Sequence, residues 1–221
     1  TDPNPVVAGR GIRLLREKGL EVVAGVLRGE CERQNEVFFH FMRTKLPFTV
    51  LKYAMTLDGK TATVSGKSQW ITGEAARKRV HEDRGRYMAI LTGVSTVLAD
   101  NPQLTCRIPG GKNPIRVIAD TKLRTPLSST VVQTARETPT WIVTAVSDAG
   151  RKEAYEDAGC RVLSVPAKEG ELDLQAMMQR LGEEKVDSVM VESGGTLAWS
   201  FLKAGLVNRV QAYIAPKIFG G

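Results

Sequence analysis

The chain has 221 residues, 42% of them apolar and 25% charged, and its 31 lysines and arginines against 24 acidic residues give a net charge of +7. That length can bury one sizeable core, and no run approaches the eighteen or so apolar residues that a membrane-spanning helix needs. The N-terminus lacks a basic region followed by an apolar block, so a cytoplasmic protein is expected, and the three cysteines, Cys31, Cys106 and Cys160, are too few and too scattered for a disulfide framework.

In chain order, GRGIRLLREKG at 9–19 has helical spacing and a glycine stop, and the apolar run at 21–27 predicts a short strand. Residues 29–45 predict one helix with Val37, Phe38 and Phe41 on its apolar face, ending before Pro47. From Phe48 onward, short apolar runs alternate with amphipathic helices, which marks an α/β domain with a mostly parallel sheet. Strands are predicted at 48–55, 88–92, 115–119, 140–145, 161–165, 188–191 and 209–214. Thr72 is the predicted N-cap of a helix running to about Asp83, with Glu74 in its first turn, where a negative charge suits the dipole. Ser147 should cap a helix that stops at Gly159, and Asp173 one that stops at Gly182. A short helix at 95–98 and another beginning near Thr196 complete the set.

The basic excess favours anionic partners. The charges are scattered, however, and aromatics make up only 6% of the chain, so a nucleic-acid face is not expected, and phosphorylated small molecules fit the charge as well. GRGIRL at Gly9 lacks the third glycine of a dinucleotide fingerprint, and SGKS at 65–68 lacks the glycine spacing of a P-loop. A zinc-dependent nucleobase deaminase needs His or Cys beside Glu and then a PCxxC pair. His40 and His81, the only histidines, are near no such pair, so no metal is expected in this chain.

Three segments place polar residues where strands end, the usual location of ligands in open α/β sheets. In LKYAMTLDGKTAT at 51–63, alternation puts Lys52 and Ala54 on one face and Tyr53 and Met55 on the other, and the LDG turn leads to the loop SGKSQWITG. In AILTGVSTVLADNPQLTCR at 89–107, Asp100 opens a loop that ends on Arg107, whose planar guanidinium suits phosphate. In VESGGTLAWSFLKAGLV at 191–207, a strand delivers Glu192, two glycines permit close backbone approach, and a helix starts with its N–H groups unpaired, an anion site in outline. Each has a plainer reading, as an edge lysine, an Asp-Asn-Pro turn or a Gly-Gly turn.

Taken together and in this order, these segments with the closing YIAPKIFGG resemble the bifunctional deaminase/reductase family of riboflavin biosynthesis, in its C-terminal reductase domain. The resemblance implies a dihydrofolate-reductase-like α/β fold over 47–221 and makes 1–46 the last part of a deaminase-like domain plus a linker helix, without its zinc motifs. The sequence is then expected to be part of a longer parent, with zinc bound only in the deaminase half and the reductase sheet C-terminally incomplete. The implied reaction takes 5-amino-6-(5-phosphoribosylamino)uracil and NADPH to the ribitylamino product, hydride going to the ribose C1.

By the same resemblance, Ala54, Trp70, Thr96, Asp100 and the stretch Gly194, Gly195, Thr196, Leu197, Ala198, Trp199 and Ser200 line the cofactor. Ser68, Arg84, Leu104, Arg107 and Glu192 face the substrate, the arginines and the serine toward its phosphate. Lys52 is the candidate proton donor or polariser of the ribose oxygen, with Glu192 beside it. After the strand at 115–119, Thr121, Lys122 or Arg124 is placed to meet the extra phosphate that distinguishes NADPH from NADH. A homodimer is implied by the resemblance, not by the pattern. The rivals are a reductase of the same fold acting on a pterin and a basic RNA-binding module without catalysis.

Overall fold

The computed structural model describes residues 2–4, 6–66, 68 and 70–220. The N-terminal part forms α1 (Arg10–Glu17), α2 (Arg28–Gln34) and α3 (Glu36–Thr44), none of which buries a residue fully. The strand expected at 21–27 is absent. Its valines had no neighbouring strand to pair with, and Val23 is 73% exposed. The single helix expected at 29–45 is two, divided at Asn35, whose side chain turns back to donate to the Cys31 carbonyl.

The rest alternates strand and helix: β1 (Phe48–Thr56), α4 (Glu74–Arg86), β2 (Ala89–Gly93), α5 (Val94–Asp100), β3 (Ile115–Ala119), α6 (Thr130–Gln133), β4 (Thr140–Thr144), α7 (Ala149–Asp157), β5 (Arg161–Ser164), a small ribbon β6 (Ala167–Lys168) and β7 (Glu171–Leu172), α8 (Leu174–Glu183), β8 (Ser188–Val191), α9 (Gly195–Lys203) and β9 (Arg209–Ala215). Seven strands form one sheet in the order β5-β4-β3-β2-β8-β1-β9, with every pairing parallel. This is the α/β sheet expected from the sequence. Apart from that sheet, β6 and β7 form a separate antiparallel ribbon among the described residues, which the sequence pattern did not show.

Side chains alternate between two cores. Leu51, Val191, Leu91, Val117 and Val143 face α8 residues such as Met177 and Leu181 on one side of the sheet. Val50, Met190, Ile90, Ile118 and Ile142 occupy the other. Burial on both faces explains why the strands read as continuous apolar runs. Two helix starts differ from expectation. Gly73, not Thr72, precedes α4, since the first helical bond runs from the Arg77 N–H to the Gly73 carbonyl. Asp148, not Ser147, caps α7, its carboxylate accepting from the Arg151 N–H. Asp173 caps α8 as expected, accepting from Ala176.

The chain runs from β1 to β2, outward through β3, β4 and β5, and returns as β8 into the gap between β2 and β1. The carboxyl ends of β2, β8 and β1 therefore flank the point where the winding changes direction, where open α/β sheets hold their ligands.

Candidate active site

β8 ends at Val191, in register with Leu51 of β1 and Leu91 of β2. The next residue, Glu192, still donates its N–H to the Leu91 carbonyl at 2.9 Å, so it belongs to the same pleat row as Lys52 and Thr92 and points to the face bearing Val50 and Met190. Its carboxylate accepts from Arg84 twice, Nε at 2.8 Å and Nη2 at 3.1 Å, and from Lys52 Nζ at 3.4 Å. Burial by itself would raise the Glu192 pKa, but the Arg84 guanidinium and then the Lys52 ammonium outweigh it and hold the carboxyl below its ordinary 4.5. The sequence reading paired Glu192 with Lys52 and left Arg84 to the phosphate. In the structure the better partner of Glu192 is Arg84, whose remaining Nη1 donates to the Thr105 carbonyl at 3.2 Å. Thr92, on the other side of Glu192, is buried, and its hydroxyl has no hydrogen-bond partner among the described residues.

Beneath Lys52 lies a second polar group that sequence reasoning missed. β9 pairs Gln211 with Lys52 and Tyr213 with Ala54, and the Tyr213 ring lies 5.8 Å from Lys52 Nζ. Buried Asp83 of α4 accepts from Gln211 Nε2 at 2.6 Å and from the Tyr213 hydroxyl at 3.2 Å, and Arg79 stands 3.5 Å from its other oxygen. Burial, and then the Asp83 charge, push the Tyr213 phenol up to about 12. Adjacent residues of α4 thus serve two strands, Asp83 gripping β9 and Arg84 gripping Glu192. The alternation that put Lys52 and Ala54 on one face was a usable signal for Gln211 and Tyr213, had β1 been paired with 209–214.

The glycine turn behaves as its sequence suggested. Gly194 precedes α9, no side chain caps the helix, and a Cβ on Gly194 or Gly195 would meet nothing within 4 Å. α9 begins at Gly195, one residue before the expected Thr196. A Cβ on Gly93 would come within 3.3 Å of Leu197, so α9 starts close to the end of β2, where α5 also begins without a side-chain cap. Two helix N-termini without a side-chain cap among the described residues therefore meet beside Glu192.

The remaining expected residues are placed unevenly. Ala54 continues β1 beyond Lys52, and Thr96 lies half-buried in α5. Asp100 is the exposed last residue of α5, rather than the opening of a loop as expected, at the opposite end of that helix from the cleft. Leu104 is buried in a left-handed conformation with φ 54°, a constrained backbone in a loop that leads to exposed Arg107. Ser68 is exposed, and Lys67 and Gln69 of its loop lie outside the described residues. Trp70 is 62% exposed, with the Arg77 guanidinium over its ring at 4.8 Å. Trp199 is also exposed, and the Ser200 hydroxyl is turned back to the Thr196 carbonyl. Thr121 donates to Glu171 at 3.1 Å, an acidic neighbour that does not favour phosphate, which leaves exposed Lys122 and Arg124 as the cations of that turn. Among the described residues, no three His, Cys, Asp or Glu side chains are placed to hold a metal ion, and no helix is long and apolar enough to cross a membrane.

A wholly parallel, open α/β sheet with the Arg84–Glu192–Lys52 charge cluster at its switch point and the starts of α5 and α9 beside it defines a class, the open α/β domains. Within that class the chain belongs to the RibD C-terminal domain family, whose model matches residues 47–221. A relative from Actinobacillus pleuropneumoniae, "Riboflavin biosynthesis protein RibD", is 51% identical over 221 residues, covering 100% of this chain and 59% of its own length. The solved structure of a Thermotoga maritima diaminohydroxyphosphoribosylaminopyrimidine deaminase/5-amino-6-(5-phosphoribosylamino)uracil reductase is 37% identical, with a TM-score of 0.82 over 100% of this chain and 59% of that one. The Saccharomyces cerevisiae riboflavin biosynthesis reductase Rib7 is 25% identical, with a TM-score of 0.63 over 80% of this chain and 77% of its own. The chain thus spans about three fifths of the length of the curated relatives it matches.

Proposed function

We propose that this domain reduces 5-amino-6-(5-phosphoribosylamino)uracil to its ribitylamino product at the expense of NADPH, as a step of riboflavin biosynthesis. The observation that carries the reading is the Arg84–Glu192–Lys52 cluster at the ends of β8 and β1, beside the open start of α9. The residues present fit a dinucleotide. Gly194 and Gly195 leave space where side chains would stand, and the first N–H groups of α9 are free to receive a pyrophosphate. When bound, NADPH supplies the hydride that reduces the ribose C1.

The protein's own part is orientation and one proton. Glu192, fixed in two directions by Arg84, is a rigid acceptor for sugar hydroxyls and holds the Lys52 ammonium facing the cleft. Among the described residues Lys52 has one long hydrogen bond, so its other N–H groups are available to protonate or polarise the ribose oxygen as the ring opens. Arg107 is exposed, and among the described residues its backbone N–H but not its guanidinium has a hydrogen-bond partner, which suits it to the ribose phosphate and so to binding energy remote from the reacting carbon.

The test is to mix the full-length protein with NADPH and the deaminated substrate and follow loss of nicotinamide absorbance. Turnover should occur, and Lys52→Ala should lower kcat by about 10²-fold or more. A folded wild type that consumes no NADPH overturns the reading. Turnover of a pterin in preference to the pyrimidine would keep the reductase and overturn the substrate.

A further inference from the structure

His81 and Arg84 lie three residues apart on α4 and so share one face of the helix. That face holds residues 105–107 of the loop ending in Arg107 by three successive contacts. The Thr105 carbonyl oxygen accepts from Arg84 Nη1 at 3.2 Å and also stands 3.2 Å from His81 Nδ1. The Cys106 thiol donates to the His81 carbonyl at 3.2 Å, and the Cys106 N–H donates to Asn113. The Arg107 N–H points to His81 Nδ1 at 3.3 Å. The fit is tight, for a Cβ on Gly85 would come within 3.2 Å of Cys106 Sγ, and one on Gly111 would come closer still.

One imidazole nitrogen cannot accept from Arg107 and donate to Thr105 at once. Arg84 already satisfies Thr105. Burial first, and then the charges of Arg84 and Arg107, keep the His81 pKa below its ordinary 6.5 and favour the uncharged ring. The Arg107 N–H can only donate, so in that ring Nδ1 is assigned as its acceptor and the proton goes to Nε2. The arginine that fixes Glu192 and the arginine free to meet an anion are therefore tied to one turn of helix through a single carbonyl and a single imidazole.

We propose that His81 is a positioning residue, which holds the backbone of Arg107 so that its guanidinium meets the phosphate end of the substrate. This rests on the function proposed above. His81 contributes to affinity for the anion and not to the reacting atoms.

The experiment uses the full-length protein, with the phosphorylated and dephosphorylated substrates and with ribose 5-phosphate as a binding probe that requires no turnover. His81→Ala should raise KM for the phosphorylated substrate about tenfold, as expected for one lost hydrogen bond at a positioned charge. It should leave kcat within about twofold and the KM for NADPH unchanged, and should weaken ribose 5-phosphate binding in calorimetry by the same factor as it raises that KM. His81→Asn, which offers an oxygen near the place of Nδ1, should restore most of the loss. In an Arg107→Ala background, His81→Ala should add nothing.

An unchanged KM in folded His81→Ala, an equal rise for the dephosphorylated substrate, no rescue by Asn, or additivity with Arg107→Ala would each overturn the proposal. An inactive wild type that still binds ribose 5-phosphate in a His81-dependent way would overturn the reductase reading and support the positioning role. A wild type that neither turns over nor binds the probe would overturn both.

Discussion

Two charged side chains sit on the same face of the sheet, one pleat row apart, and are treated in opposite ways. Arg116 in β3 shares its row with Ile90 and is 0% exposed. It has no carboxylate partner among the described residues. Its guanidinium donates instead to Thr140 and Thr134 hydroxyls and to the carbonyls of Gln103, Val131, Thr134 and Thr138, at 2.8 to 3.2 Å. Burial brings its pKa down to about 10, which leaves it cationic at neutral pH. Every N–H is used, so nothing remains for a ligand. One row nearer the carboxyl ends, Lys52 makes one hydrogen bond among the described residues, at 3.4 Å to Glu192, at the strand ends. A buried charge whose donors are all satisfied is a brace, whereas one with donors to spare at a strand end is a site.

The contrast breaks first at Arg116. Arg116→Met keeps the volume but strips hydrogen bonds from several buried carbonyls, each worth about 1–3 kcal/mol when left unsatisfied. Loss of at least about 3 kcal/mol is expected as a lower urea midpoint, with kcat per folded molecule nearly retained. Loss of turnover in a fully stable variant would show that Arg116 belongs to the site after all, through its bond to the Gln103 carbonyl in the loop toward Arg107.

Glu192→Gln should do the reverse. A fall of about 10²-fold in kcat/KM is expected, with a smaller stability loss than at Arg116, because Gln keeps a carbonyl oxygen to accept from Arg84 and far fewer buried groups lose a partner. The pH dependence sharpens this. The folded-state pKa of Glu192 lies below 4.5, so the unfolded chain takes up the proton first as pH falls. The stabilisation from its ion pairs is fully present above about pH 4.5 and disappears as pH drops through the lowered folded value. Acid unfolding of Glu192→Gln should therefore be shallower than that of the wild type, and identical acid limbs would contradict the assignment.

The sheet was legible because its strands are buried on both sides and read as apolar runs between turns. The run at 21–27 looked the same and failed, since a strand also needs a neighbour and residues 21–27 have none among the described residues. Lys52 and Glu192 were legible as polar residues interrupting or ending such runs. Their organisation was not, because Arg84 lies 108 residues from Glu192 in sequence, and Asp83 lies 128 from Gln211. Arg116 shows the same limit. A lone arginine inside a strand gives no sign that two threonine hydroxyls and four carbonyls converge on it.

The smallest effect separates the two ends of Tyr213. Its hydroxyl serves Asp83 and Gln211, and its ring faces Lys52. Tyr213→Phe removes only the hydroxyl, and Gln211 and Arg79 still hold Asp83, so a loss of about 1 kcal/mol in stability with kcat within about twofold is expected. Tyr213→Leu also removes the ring, and should lower kcat further by freeing Lys52 from its floor. The alkaline limb checks the hydroxyl separately. A phenol raised to about 12 in the folded state ionises first in the unfolded chain, so its stabilisation is intact below pH 10 and is lost as pH rises through 12. Tyr213→Phe should flatten that limb while leaving the acid limb set by Glu192 unchanged. If Phe and Leu lower kcat equally, the hydroxyl rather than the ring positions Lys52, and Asp83 then acts on the cleft through Tyr213 rather than merely anchoring β9.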